Sequence, residues 1–134
     1  MDYFADSSFW IALVDKRDNY HRVALECSSK LSGRLITTQA VLLETANAFA
    51  RPAWRDKVVG LIDHIASRPD IESVQLSESL WNRAWRLFRE RGDKSWSLTD
   101  CISFEVMQER GLDTSLTADS HFRQAGFRAL LLDE

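Results

Sequence analysis

Four acidic residues, widely separated along the chain, are the side chains best suited to chemistry. Asp6, Asp100 and Asp119 each stand where a helix is predicted to begin, and Glu44 lies within the apolar stretch Val41–Ala46. Carboxylates that share one cleft repel one another unless divalent cations lie between them, and such hard oxygen ligands suit Mg²⁺ or Mn²⁺. A metal ion in that setting lowers the pKa of a bound water and stabilises charge on a phosphate. If the fold brings the four acids together, they predict metal-dependent hydrolysis of a phosphodiester.

Each acid also has an ordinary structural explanation. Aspartate is a preferred N-cap that complements the helix dipole, and for any one of the three aspartates this explanation is favoured by roughly three to one. Glu44 can lie on a solvated stripe of its helix, the usual place of a glutamate. If it faces the other acids, it needs a cation, because an unpaired buried carboxylate is costly. The prediction of a metal site therefore rests on the convergence of the four residues.

Short apolar runs alternate along the chain with segments of helical periodicity. The predicted strands are Tyr3–Ala5, Leu35–Thr38, 71–76, Ser115–Thr117 and Ala129–Leu132. Strands that alternate with helices form a mainly parallel sheet with helices on its faces, and ligands bind such folds at the carboxyl ends of the strands. Asp6 follows the first strand, Asp119 follows a late one, and Asp100 begins a helix. These three acids are therefore expected at one edge of the sheet.

The helix predicted from Ser77 to Arg91 has a strongly apolar face. Trp81, Ala84, Trp85 and Phe88 are predicted to face inward, although a dimer contact would also explain the two tryptophans. Arginines on the outer side of this helix, and a second group near the predicted break at Pro52, are interpreted as solvated faces, with phosphate contacts as the alternative. These arginines and the accompanying lysine are Arg83, Arg86, Arg89, Arg91, Arg51, Arg55 and Lys57.

The length and composition indicate one globular domain over residues 1–134, with 45% hydrophobic and 28% charged residues. The net charge of −3 argues against a protein that coats nucleic acid by charge alone, but not against a nuclease, since bound metal ions invert the local charge. Cys27 and Cys101 form no Cys-x-x-Cys pair, and no signal-peptide pattern or long apolar stretch is found. A cytoplasmic protein is expected.

Four parts of the sequence together resemble the PIN-domain ribonucleases. These are Asp6-Ser7-Ser8 after the first strand, the lone Glu44, the segment Ser97–Cys101 and the segment Leu116–Phe122. They occur in the usual order and spacing, and the resemblance spans essentially the whole chain. Its most specific part is the stretch from Trp96 to Phe127.

The resemblance implies a three-layer α/β/α sandwich with a mainly parallel sheet, and RNA cleavage that depends on Mg²⁺ or Mn²⁺. It implies that Asp6, Glu44, Asp100 and Asp119 are the catalytic and metal-binding acids, with Asp93 as an additional metal ligand. Short chains of this family are often VapC-like toxins of type II toxin–antitoxin pairs, commonly homodimers held inactive by a cognate antitoxin. The implied partners are therefore RNA, an antitoxin and a second copy of the chain, with no membrane.

The roles of three neighbouring residues are not decided by the sequence, and two other functions remain possible. The hydroxyls of Ser7 and Thr99 flank two of the acids and are expected to orient a carboxylate or a water, although helix capping explains them equally well. His121 either contacts phosphate or makes a structural bond at a helix start. One alternative function is a metal-dependent phosphatase on a similar acidic edge. The other is a nonenzymatic module that binds RNA or protein, in which the acids only cap helices.

Overall fold

Five strands and seven helices alternate along residues 1–133, the part of the chain that the computed structural model describes. In chain order they are β1 (Tyr3–Ala5), α1 (Ser7–Val14), α2 (His21–Lys30), β2 (Leu35–Thr38), α3 (Gln39–Ala48), α4 (Pro52–Ser67), β3 (Ile71–Val74), α5 (Glu78–Glu90), α6 (Leu98–Arg110), β4 (Thr114–Leu116), α7 (Ser120–Gln124) and β5 (Arg128–Ala129). No helix in this part of the chain is long and apolar enough to cross a membrane.

The strands form one sheet in the order β3-β2-β1-β4-β5, and all neighbouring pairs are parallel. Helices flank this sheet, so the predicted α/β/α sandwich is confirmed. In the central strand, Phe4 pairs with Ile36 on one side and with Ser115 on the other. Because β1 and β4 are neighbours and run in the same direction, the residues that follow them emerge side by side at one edge of the sheet.

A cluster of aromatic rings fixes the first turns of α6 against the sheet and α7. The ring of Phe104 meets Trp96 and Phe122 edge-on, each at a centroid distance of 5.0 Å. Phe122 in turn contacts Phe4 in the central strand, at 6.2 Å. Edge-to-face pairs of this kind stabilise beyond the area that they bury. The aromatic cluster therefore fixes the start of α6, where Asp100 lies, relative to the ends of β1 and β4.

The prediction for the apolar face of α5 is wrong in one respect. Trp81, Trp85 and Phe88 are 42%, 43% and 41% exposed, whereas Leu80 and Ala84 are buried. The helix carries two adjacent apolar stripes, and the one with the smaller side chains packs on the protein. A buried alanine lets two helices approach closely, which a tryptophan at the same position would prevent.

The bounds of three strands differ from the sequence analysis. β3 ends at Val74 and not at residue 76, and β4 spans Thr114–Leu116 and not Ser115–Thr117. The last strand ends at Ala129 and not at Leu132, because the chain turns there and the Leu132 N–H donates to the Ala129 carbonyl at 3.0 Å. The break at Pro52 is confirmed, and the proline also begins α4 at a position where its missing N–H costs nothing.

Candidate active site

Asp6 stands directly after β1 and begins α1, but its side chain does not cap that helix. Its Oδ2 atom instead accepts hydrogen bonds from the hydroxyl of Thr117, at 2.8 Å, and from that of Ser8, at 3.2 Å. The residue is 3% exposed, and no lysine or arginine among residues 1–133 forms an ion pair with it. Helix capping therefore does not explain Asp6, and a buried carboxylate without a cation calls for another explanation.

The surroundings of Asp6 favour its neutral form. Burial raises the pKa of Asp6 from 3.8 to about 7, although the hydrogen bond from Thr117 acts in the opposite direction. The negative charges of Asp100 and Glu44 raise this pKa further, which places both carboxylates within electrostatic reach of Asp6. A carboxyl group with a pKa near 7 can exchange its proton for a metal ion close to neutral pH.

Asp100 is held by a capping box at the start of α6. Its N–H donates to the Ser97 hydroxyl at 2.9 Å, and its Oδ2 accepts from the Ser97 N–H at 3.0 Å. The same Oδ2 lies 2.8 Å from Nδ1 of His121. Burial raises the pKa of Asp100, while the bond to His121 lowers it. The N-cap of α6 is Ser97 and not Asp100, but Asp100 completes the capping box from the third helical position, and this fixes its carboxylate beside the other acidic residues.

Asp119 follows β4 and caps the short helix α7. Its Oδ1 accepts from the N–H of His121 at 2.9 Å and lies 3.4 Å from Nδ1 of the same residue. One ligand atom from each of Asp100, Asp119 and His121 lies within 4.8 Å of the other two. The structure therefore brings two acids from distant parts of the chain, together with an imidazole, to one point.

Glu44 faces the same group of acids from α3. The Ser7 hydroxyl donates a short hydrogen bond to its Oε1 atom, and its charge acts on Asp6. Glu44 is nevertheless exposed. It borders a cavity of about 760 Å³ that also borders Thr99. The open question about Glu44 is therefore answered: it lies at the solvent-facing rim of the acidic group.

Two predicted residues lie apart from these contacts. The carboxylate of Asp93 accepts two hydrogen bonds from the Arg91 guanidinium, at 2.9 and 3.0 Å, and this interaction lowers the pKa of Asp93. At Thr99 the hydrogen bond is made by the backbone: its carbonyl oxygen accepts from the Ser103 hydroxyl at 3.1 Å. In residues 1–133 the Thr99 hydroxyl bonds to none of the acids, whereas that of Ser7 bonds to Glu44.

Three further residues contact the acids directly: Thr117 and Ser8 were not predicted, and His121 was considered as a phosphate contact or a structural residue. Thr117 donates to Asp6 and accepts the N–H of Asp119 at 3.0 Å, so it links the two acids. Ser8 donates to Asp6 and accepts the N–H of Ala118 at 3.0 Å. His121 lies between Asp100 and Asp119. The common signal in the sequence is a hydroxyl or imidazole side chain two residues from an aspartate at a strand end.

The donor set fits a divalent cation. Asp6, Glu44, Asp100 and Asp119 offer oxygen ligands, and Asp6 is buried with no positive charge to balance its ionised form. Such oxygen-rich sets suit hard cations, which retain several waters and bind phosphate oxygens. The hydroxyls of Ser7 and Thr117 orient two of these carboxylates, as outer hydrogen-bond partners do in metal sites.

This fold and this acidic site define a known class of protein. The model of the PIN domain family matches residues 3–128, and the chain belongs to that family, whose nucleases use divalent metal ions. Among curated proteins, the 23S rRNA-specific endonuclease VapC20 of Mycobacterium tuberculosis is 28% identical over 125 residues, which cover 92% of this chain and 94% of VapC20. VapC20 of two strains, CDC 1551 / Oshkosh and H37Rv, matches equally well.

Solved structures give the same result for the fold. The crystal structure of Mycobacterium tuberculosis VapC20, described as a sarcin-ricin loop cleaving toxin, superposes with a TM-score of 0.87 at 26% identity and covers 93% of this chain and 95% of that one. The structure of VapBC2 from Rickettsia felis, bound to a DNA fragment from its promoter, has a TM-score of 0.68 at 14% identity over 96% and 97% of the two chains. The second likeness supports the fold alone.

Proposed function

We propose that residues 1–134 act as one nuclease domain that hydrolyses RNA phosphodiester bonds with Mg²⁺ or Mn²⁺. The observation that carries this proposal is Asp6, a buried carboxylate that caps no helix and shares its electrostatic surroundings with Asp100 and Glu44. A structural role would pair such a group with a lysine or arginine. A metal site explains both its burial and its acidic neighbours.

In this proposal Asp6, Glu44, Asp100 and Asp119 are the catalytic acids and hold the metal ion. A divalent cation bound by them supplies a water of lowered pKa and positive charge beside the scissile phosphate. Thr117 and Ser7 hold two of the carboxylates in place. Asp93 remains a predicted additional metal ligand. To bind the metal ion, it would have to give up its hydrogen bonds from Arg91.

The identity to VapC20 favours RNA as the substrate and a toxin as the biological role. VapC20 is named as a 23S rRNA-specific endonuclease, and its crystal structure as that of a sarcin-ricin loop cleaving toxin. We therefore propose a structured RNA loop as the substrate class, a cognate antitoxin as the inhibitor, and the cytoplasm as the place of action. The homodimer implied by the resemblance is proposed as well.

The test is cleavage of total RNA and of a sarcin-ricin-type hairpin by purified protein, with Mn²⁺, with Mg²⁺ and with EDTA. Asp6→Asn is the inactive variant, and Asp63→Asn, which changes an exposed aspartate of α4, is the matched control. We expect cleavage by the wild type and by Asp63→Asn with either metal, loss of cleavage in EDTA, and at least a hundredfold lower rate for Asp6→Asn. Full activity of Asp6→Asn would contradict the proposal.

The same assay distinguishes the two alternative functions. A phosphatase would release phosphate from small phosphomonoesters in the presence of metal and leave RNA intact. A binding module would retain RNA or a protein partner without cleaving, and the Asp6→Asn substitution would not change its binding. Either result would replace the ribonuclease proposal, provided that the purified protein carries no bound inhibitor.

A further inference from the structure

Five exposed basic residues gather where the end of α1 meets the turn between α3 and α4. This basic patch consists of Lys16, Arg17, Arg51, Arg55 and Lys57. In residues 1–133, Arg17 pairs with Asp15 at 3.5 Å, and the other four basic residues form no ion pair. The chain as a whole carries a net charge of −3, so this surplus of unpaired positive charge is local and fits an anionic partner.

The ring of Trp54 holds the two parts of the basic patch together. The Lys57 ammonium lies 4.6 Å from the centroid of this ring, and the Arg17 guanidinium lies 5.5 Å from it. Cation–π attraction favours each position, but the two positive charges repel each other. An anion that contacts both charges would remove this repulsion.

The basic patch is fixed to the end of α3, the helix that carries Glu44. The buried ring of Phe49 stacks on Trp54 at a centroid distance of 5.2 Å, and the Arg55 guanidinium donates to the Ala50 carbonyl at 2.6 Å. Glu44 and Phe49 are five residues apart, which corresponds to about 7 Å along the helix. The patch therefore adjoins the acidic group on the side of Glu44.

The surroundings of Trp54 suit phosphate groups better than bases. A base stacks on an aromatic face that is free. Phe49 and the two cations already cover the Trp54 ring, which is only partly exposed. The charged ends of Arg17 and Lys57 are the groups that a ligand meets, and both bind phosphate oxygens well.

We infer that the basic patch binds the phosphate backbone of RNA beside the acidic group, with Trp54 as the residue that positions Arg17 and Lys57. The inference rests on the proposed function for its substrate class. Phosphate contacts set the orientation of a nucleic acid but carry no sequence information. The patch therefore orients the RNA strand over the acids, and it attracts RNA even when no metal ion offsets the charge of the acids.

The test is binding of a labelled RNA hairpin in EDTA, where metal-dependent cleavage does not occur, measured by fluorescence anisotropy from about 50 to 300 mM salt. The probes are a sarcin-ricin-type hairpin and an unrelated hairpin of the same length. The double variant Arg17→Gln/Lys57→Gln should raise the dissociation constant at least tenfold for both hairpins. It should also lower the slope of log affinity against log salt by about 1.5, because two phosphate contacts are lost.

The matched control is Lys30→Gln/Arg86→Gln, which removes the same two residue types from exposed positions on α2 and α5. It should change the dissociation constant by less than about threefold, since long-range charge effects are screened by salt. Thermal unfolding checks that every variant is folded. An equal loss of affinity in the control would overturn the inference, because general charge would then explain the binding.

Trp54→Leu tests the positioning role without a change in charge. We expect about fivefold weaker binding and a smaller salt slope, because Arg17 and Lys57 lose the ring that holds them. Trp54→Phe, which keeps an aromatic face, should largely restore both values. A merely structural role would lower the unfolding temperature of Trp54→Leu and leave the salt slope unchanged, and that result would contradict the assignment of Trp54.

The outcomes separate this inference from the proposed function. A wild type that binds RNA through the patch but never cleaves it would contradict the nuclease proposal and support the patch. A wild type that cleaves RNA, with Arg17→Gln/Lys57→Gln binding as tightly, would overturn the inference alone. Equal affinity of the patch for poly-glutamate would also overturn it, in favour of an acidic protein partner.

Discussion

At the scale of single residues, Asp6 is the clearest sign of a metal site, because on balance its surroundings favour the neutral over the ionised form. A carboxylate is stable inside a protein when a cation or several donors face it. Burial raises the pKa of Asp6 most strongly, hydrogen bonds from Thr117 and from the Ser7 backbone lower it, and the charges of Asp100 and Glu44 raise it, so that it lies at about 7. In the metal-free protein, ionisation of Asp6 at neutral pH therefore costs folding stability, and a bound cation would remove that cost.

We expect the metal-free protein to lose stability as the pH rises. The pKa of Asp6 is about 7 in the folded state and 3.8 unperturbed, so the folded state binds more protons between these values. The contribution of Asp6 is fully favourable below about pH 4 and is lost as the pH passes 7; Asp100, whose pKa is also raised, acts in the same direction. Urea unfolding in EDTA between pH 5 and pH 8 measures this slope.

Asp6→Asn should remove much of this pH dependence. An uncharged amide in the same place avoids the buried charge, so we expect the metal-free variant to be more stable than the wild type at pH 8, by about 1 kcal/mol or more, since one pKa unit corresponds to about 1.4 kcal/mol. Equal slopes of wild type and Asp6→Asn would show that the pKa of Asp6 is not raised.

Thr117→Val tests a positioning residue. The variant keeps the shape of the side chain but loses the donor to Asp6 and the acceptor for the Asp119 N–H. We expect a loss of about 1–2 kcal/mol in the free energy of unfolding and roughly tenfold weaker metal binding, measured by calorimetry. The control is Thr114→Val at the other end of β4, whose hydroxyl bonds to Asp113. A similar loss of metal affinity in both variants would argue for a merely structural role.

At the scale of elements, the capping box of α6 joins helix stability to the site. Ser97→Ala removes the acceptor for the Asp100 N–H, and we expect it to cost about 1 kcal/mol and to weaken metal binding, because the first turn of α6, which carries Asp100, is then held less firmly. Ser77→Ala is the matched control. Ser77 caps α5 in the same way, through the N–H of Leu80 at 3.1 Å. This control should lose comparable stability and keep its metal affinity.

The elements were predictable where one physical signal dominated. Apolar runs predicted the strands, their alternation with helices predicted that the strands run parallel, and Ser77 predicted the start of α5. The inward stripe of α5 was not predictable from periodicity, because two apolar stripes lie side by side on that helix. The stripe that packs on the protein contains the small Ala84, which allows a close approach of the helix. A prediction from hydrophobicity ranks alanine below tryptophan and therefore chose the other stripe.

The candidate site was predictable for the acids and not for the groups that hold them. Asp6, Asp100 and Asp119 each follow or begin an element, and that position in the sequence places them at the sheet edge. Thr117 and Ser8 contact Asp6 only because β1 and β4 are neighbours, which local sequence does not reveal. The N-cap explanation could be decided only in the structure: Asp119 caps α7, Asp100 joins the cap of α6 from its third position, and Asp6 makes no side-chain cap.

At the scale of the whole molecule, a metal ion should stabilise the folded state. A ligand at a hundred times its dissociation constant adds about 2.7 kcal/mol, which for a domain of this size raises the unfolding temperature by several degrees. We expect Mn²⁺ to produce this shift at pH 8, EDTA to reverse it, and the shift to be smaller at pH 6, where Asp6 retains its proton. An equal shift in Asp6→Asn would place the metal elsewhere.

The separation of the site along the chain has a consequence for synthesis. Asp6 and Thr117 bond to each other across 111 residues, and β4, which brings Thr117 and Asp119 into place, is the fourth strand to leave the ribosome. Until then a nascent chain lacks the residues that hold and complete the acidic group. If the chain is the proposed nuclease, it is therefore expected to stay inactive during synthesis until β4 has emerged and inserted beside β1.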